Sequence, residues 1–107
     1  FENCSKLATV KGGAGVQSFG KKSFRKCVSL KKITLQTKVK KLGEQTFYGC
    51  KNLKTITIKS KQLKSVGKNA IKNIKKKATI KVPKAKKKAY KKLFKSKTGY
   101  KKSMKIK

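Results

Sequence analysis

Apolar residues return along this chain at a constant step. Phe1, Phe24 and Phe47 are 23 positions apart, as are Cys4, Cys27 and Cys50, and Leu7, Leu30 and Leu53. A fourth, degenerate copy follows after 24 residues, with Ile71, Ile74, Ile80 and Val82 in the matching slots. Within each copy the pattern has two halves. Leu30-x-x-Ile33-x-Leu35, Leu53-x-x-Ile56-x-Ile58 and the Ile80-x-Val82 pair alternate apolar with polar, the period of a strand with one buried face. Gly43-x-x-Thr46-Phe47-x-x-Cys50 and its equivalents space apolar residues by three and four, which predicts a turn or two of α- or 3₁₀-helix. Val16, Val39 and Leu63, each three before Phe19, Leu42 and Val66, predict a second short strand. Gly20, Gly43 and Gly67 share one slot, which calls for a positive φ or a close backbone approach.

A step of 20–29 residues is the mark of a leucine-rich-repeat solenoid. Each copy stacks on the next, and the strands pair in parallel and in register. The predicted fold is an α/β repeat, with parallel strands on one face and short helical or 3₁₀ turns on the other. Three and a half copies occupy residues 1–83, and 84–107 form a C-terminal cap. Pro83 stops the ladder and suits the first turn of a helix. Ala85, Ala89 and Leu93, beside Tyr90 and Phe94, put one apolar stripe on a lysine-covered helix over 84–95. A polar turn follows, and the weak alternation around Met104 and Ile106 predicts a last strand.

The string Gly-x-x-Thr-Phe-x-x-Cys-x-x-Leu-x-x-Ile-x-Ile, with Ser or Thr where the family often has Ala, resembles the BspA-type leucine-rich repeat. Members of that family are mostly bacterial surface proteins, with some in protists, linked to adhesion and to binding host or matrix proteins. The resemblance implies a secreted or cell-surface binding module in a bacterium. The string around Val82, Pro83, Tyr90, Leu93 and Phe94 is also similar to tails that close such repeat proteins. Charge is where this chain departs from the family.

The 107 residues include 34 Lys and Arg against 2 acidic residues, a net charge of +32. Leu, Ile, Val and Phe together make up less than a quarter of the chain. That balance is the usual signature of disorder. Periodicity overrides it, because the few apolar residues sit on a lattice. No apolar run approaches 18 residues, so no membrane span is read. Phe1 already occupies a repeat slot, so no leader is read there, and the chain is expected to be the C-terminal part of a longer protein.

Catalytic material is scarce. The chain has no His and no Asp, and its acidic residues are Glu2 and Glu44. Paired-carboxylate hydrolysis, a His-assisted nucleophile and an acidic metal site all lack residues. Glu44 is expected at a helix N-terminus, complementing the dipole. The three cysteines have no Cys-x-x-Cys spacing and read as a buried column of thiols about 5 Å apart. Gly12, Gly13, Ala14 and Gly15 form a permissive loop, since no Gly-Lys-Ser/Thr follows. The Asn3-Cys4-Ser5 sequon is set aside because Cys4 falls in a core slot. The chain is therefore read as a non-enzyme with no cofactor and no metal.

Candidate binding residues follow from the strand period. Stacked strands would align Thr9, Lys32, Thr55 and Thr79 in one outward column, and Lys11, Thr34, Thr57 and Lys81 in a second, with Lys59 on the same face. The favoured partner is a protein or host-matrix ligand on that face. The alternative is a polyanion held by the lysine field, such as teichoic acid, a glycosaminoglycan or an anionic membrane. Specific nucleic-acid recognition is disfavoured. There are 33 lysines and only Arg25 to provide a guanidinium fork, and only Tyr48, Tyr90 and Tyr100 lie outside core slots as aromatic stackers.

Overall fold

The computed structural model describes residues 9–11, as backbone, and 17–107. The readings on Phe1, Glu2, Cys4, Leu7, the Gly12–Gly15 loop and Val16 lie outside the described residues.

Two parallel sheets run along the solenoid. Strands β1 (Thr9–Lys11), β3 (Lys32–Leu35), β5 (Thr55–Ile58), β7 (Thr79–Lys81) and β8 (Lys105–Ile106) form the larger, in that order. Strands β2 (Ser18–Phe19), β4 (Lys41–Leu42) and β6 (Ser65–Val66) form the smaller. Register is that of the repeat: Ile33 pairs with Ile56, and Ile56 with Ile80. Ile80 then pairs with Ile106, so the tail does add a strand. The smaller strands fall two to three residues later than Val39 and Leu63 suggested. Those two side chains are buried at the corner leading into β4 and β6, so their burial marks the corner and not the strand.

Between the sheets, segments 20–27, 43–50 and 67–74 form consecutive turns and no helix, and the last rung has a 3₁₀ turn, Ser96–Thr98. Alternate N–H groups serve two directions. Those of Ser23, Arg25 and Cys27 close local turns on Gly20, Lys22 and Phe24. Those of Lys22, Phe24 and Lys26 leave the rung and donate to Glu44, Thr46 and Tyr48 carbonyls at 2.9, 2.8 and 2.7 Å. A helix bonds its interior N–H groups to carbonyls within the same segment, so the spacing of three and four here reflects consecutive turns. The alternation needs left-handed residues at two slots. Lys22, Gln45 and Asn69 fill one, and Lys26, Gly49 and Asn73 the other, with φ between 55° and 75°.

Gly43 and Gly67 do not supply that φ. A Cβ on Gly43 would sit 2.8 Å from Lys21 N and 2.9 Å from Phe19 O. On Gly67 it would lie 2.5 Å from Glu44 N. Their slot is the close-approach alternative. Phe24 and Phe47 stack at 5.7 Å with a 12° interplanar angle, and Phe19 tilts against both. With the Leu and Ile columns they make one continuous core.

After Pro83 comes a 3₁₀ turn, Lys84–Lys86, and then α1, Lys87–Leu93. The sequence predicts a single helix over 84–95 with Ala85, Ala89, Tyr90, Leu93 and Phe94 on one stripe. Tyr90 and Phe94 are buried and Leu93 packs against the core, while Ala85, in the 3₁₀ turn, and Ala89 are exposed. The Tyr90 hydroxyl donates to Ser60 O at 2.6 Å and accepts from Leu63 N at 3.1 Å.

The segment after α1 repeats rung geometry. Asn69 and Ile71 donate to the Lys97 and Thr98 carbonyls, as Gln45 and Phe47 donate to those of Lys68 and Ala70. The Thr98 hydroxyl donates to Lys95 O, as Thr46 does to Gly43 O and Ser23 to Gly20 O. Met104 and Ile106 then join the core. Residues 95–106 thus form a shortened further rung, with α1 standing where its corner and second strand would be.

Candidate functional site

The outward face of the larger sheet is built by strand alternation. In β3, β5 and β7 the residues Ile33, Leu35, Ile56, Ile58 and Ile80 are buried, which turns the residues between them outward. The structure aligns Lys32 with Thr55 and Thr79, and Thr34 with Thr57 and Lys81, as the sequence predicts. Thr9 and Lys11 pair with Lys32 and Thr34 through their backbone. Lys32, Lys59 and Lys81 are exposed, while Thr34, Thr55, Thr57 and Thr79 are half-buried.

The sequence reading missed the end of the first column. Lys105 pairs with Thr79 and continues it, and Lys107 lies beside Lys81 through the Lys107 N to Ile80 O bond. The alternation Met104-Lys105-Ile106-Lys107 carried that signal. Threonines separate the lysines of the first column. Lys32 and Lys105 stand three strand steps apart, about 14 Å, which exceeds the Debye length of about 8 Å at physiological salt.

The other groups have structural partners. Cys27 and Cys50 are fully buried thiols outside any disulfide. The Cys50 thiol donates to Phe24 O at 3.0 Å, and burial pushes its pKa up to about 12. That is the reverse of an activated nucleophile. Glu44 was expected at a helix N-terminus. With no helix there, it pairs with Lys21 of the preceding rung at 3.3 Å. Arg25 lies over the Tyr48 ring at 5.4 Å. Tyr90 is buried, and the Tyr100 hydroxyl donates to Met104 O. None of the three tyrosines is presented as an open stacking platform. Among the described residues no cluster of His, Cys, Asp and Glu has metal-binding spacing. No described helix is long and apolar enough to cross a membrane.

Two parallel sheets, in-register strands and a glycine-and-threonine turn column define a leucine-rich-repeat solenoid. The BspA-type leucine-rich-repeat region model matches residues 1–101 in six copies. The chain belongs to that family. The match runs beyond Pro83 into the residues that form the shortened rung. The family is one of protein-interaction modules, typically non-enzymatic and generally associated with bacterial surface or secreted proteins. Comparisons with curated proteins and with solved structures gave no match.

Proposed function

We propose that this chain is a non-enzymatic adhesion module of a bacterial surface or secreted protein, docking a protein or host-matrix ligand on its larger sheet. Residues 84–107 act as the cap that closes the repeats of 1–83. The observation that carries the docking reading is the in-register alignment of Lys32, Thr55 and Thr79 beside Thr34, Thr57 and Lys81. Repetition at a fixed step turns these side chains into an ordered surface without a pocket. Lysine stems and threonine methyls supply apolar contact, and their polar ends supply hydrogen bonds. The net charge of +32 favours a second reading, a polyanion held by the lysine field.

Capture of matrix proteins at low and high salt tests the first reading. Combined Lys32→Glu, Lys59→Glu and Lys81→Glu substitutions are expected to abolish capture. Unchanged capture by that variant refutes the face assignment. Capture that persists at high salt favours a protein ligand, because polyanion binding weakens steeply with ionic strength.

A further inference from the structure

A second basic surface lies off the sheet face, at the corner between the turn column and the larger sheet. A groove there is lined by Lys51, Ile74, Lys75, Lys76, Lys77 and Lys101, with Asn73 at its end. Ile74 is buried and forms the floor, and the five lysines are exposed. Three of them come from consecutive rungs. Lys51 follows Cys50 and Lys75 follows Ile74, which occupy one repeat slot. Lys101 takes the same place on the last rung: Met104 N donates to Lys101 O as Ala78 N donates to Lys75 O.

This column differs from the others in its charge. In the first sheet column threonines stand between lysines, in the second only the pair Lys81 and Lys107 adjoins, and in the turn column Glu44 stands between Lys21 and Lys68. At the corner Lys51, Lys75 and Lys101 are stacked with no neutral or acidic residue between them. Rung steps of about 4.8 Å place the backbones of Lys51, Lys75 and Lys101 within roughly 10 Å along the axis, and Lys76 and Lys77 line the same groove. Like charges at that spacing oppose each other, and Glu44, the one acidic side chain among the described residues, lies on another face. The backbone beneath is tied across rungs. Asn52 Nδ2 donates to Val28 O at 2.8 Å, and the Ser103 hydroxyl donates to Lys76 O.

We propose that this corner groove binds a linear inorganic polyphosphate chain laid along the solenoid axis. It deepens the polyanion reading and does not depend on docking at the sheet face. A ligand needs dense, regularly spaced negative charge to match stacked lysines, and a slim profile to reach Ile74. Consecutive phosphates provide both. Lysine serves phosphate as a compact point charge, whereas planar, bidentate recognition favours Arg, and Arg25 is engaged over Tyr48. No aromatic side chain lines the groove to stack nucleobases.

The test is binding of polyphosphate of defined chain length to the whole chain across a salt series. Two charge-matched variants are compared: Lys51→Gln, Lys75→Gln and Lys101→Gln at the groove, and Lys32→Gln, Lys59→Gln and Lys81→Gln on the sheet. The groove variant should lose about tenfold or more in affinity. Its log–log salt slope should fall by about 2, at ~0.7 per lost phosphate contact. The sheet variant should retain most of its affinity. Equal loss in both variants, or greater loss in the sheet variant, overturns the proposal. So does displacement of polyphosphate by heparin or a single-stranded oligonucleotide at equal charge concentration. A second readout uses the unaltered chain: bound polyphosphate should slow acylation of Lys51, Lys75 and Lys101 more than that of Lys32 and Lys81. Uniform protection overturns the groove assignment.

Discussion

Individual residues in this solenoid are constrained mostly by the rung beside them. Gly43 shows this most directly, because the backbone of Phe19 to Lys21 occupies the space a Cβ would need. Gly20 has no such neighbour; its nearest contact would be Ser23 Oγ at 3.6 Å. Gly43→Ala should therefore destabilise by about 2–3 kcal/mol, as strained core substitutions do. Gly20→Ala should change stability by less than about 1 kcal/mol. Thermal denaturation of the two variants checks the contrast. Cys50 is governed in the same way. Burial raises its pKa from 9.0 to about 12, so the folded protein holds the proton more tightly than the unfolded chain. The resulting stability is fully present below pH 9 and is lost as pH rises toward 12. At pH 8 an alkylating reagent should leave Cys50 unmodified in the native protein and label it after denaturation. Mass spectrometry of the labelled cysteines reads the difference.

At the scale of elements, strands and turns differed in how far they were legible. Inward and outward positions of β3, β5 and β7 follow from a two-residue period, which a sequence shows directly. The last rung does form a 3₁₀ turn, Ser96–Thr98. In the three rungs before it the turn segment is not the α- or 3₁₀-helix that its apolar spacing of three and four suggests, because consecutive turns share that spacing. What separates the two is the destination of alternate N–H groups, and that depends on a neighbouring rung. The apolar stripe of α1 is narrower than its spacing suggests. Tyr90, Phe94 and Leu93 pack on the core, but a 3₁₀ turn after Pro83 advances the chain by a different angle, and Ala85 and Ala89 are exposed. Tyr90 anchors the helix through both its ring and its hydroxyl. Tyr90→Phe should cost about 1–3 kcal/mol, because Ser60 O loses its donor and Leu63 N its acceptor in a buried site. Amide hydrogen exchange should then accelerate first in residues 84–93.

For the whole molecule the governing quantity is charge. A net +32 on 107 residues repels itself in the compact state, and salt screens that repulsion. The melting temperature should rise with sodium chloride between 10 mM and 500 mM, where the Debye length shrinks from about 30 Å to a few Å. A melting temperature that falls or stays flat would mean that the lysines are already spaced beyond interaction. The first sheet column, with its lysines set apart by threonines, contributes little to that response. The corner at Lys51, Lys75 and Lys101 contributes more.

Sequence by itself determined the repeat, the parallel register and the outward columns, because each is a property of spacing and spacing is preserved when copies stack. It also determined how little the chain offers for catalysis, since residue types absent from a chain cannot be assembled by folding. Tertiary structure decided which of two glycine roles applied, where the second sheet lay and how the turns bonded. Those depend on what the adjacent rung places within a few ångströms. It also decided that residues 95–106 rejoin the stack after the helix. Ile106 follows its partner Ile80 by 26 residues, with α1 inserted between, so the 23-residue step no longer reports that rung. Hydrogen bonds to Asn69 and Ile71, and the pairing of Ile106 with Ile80, are what reveal it.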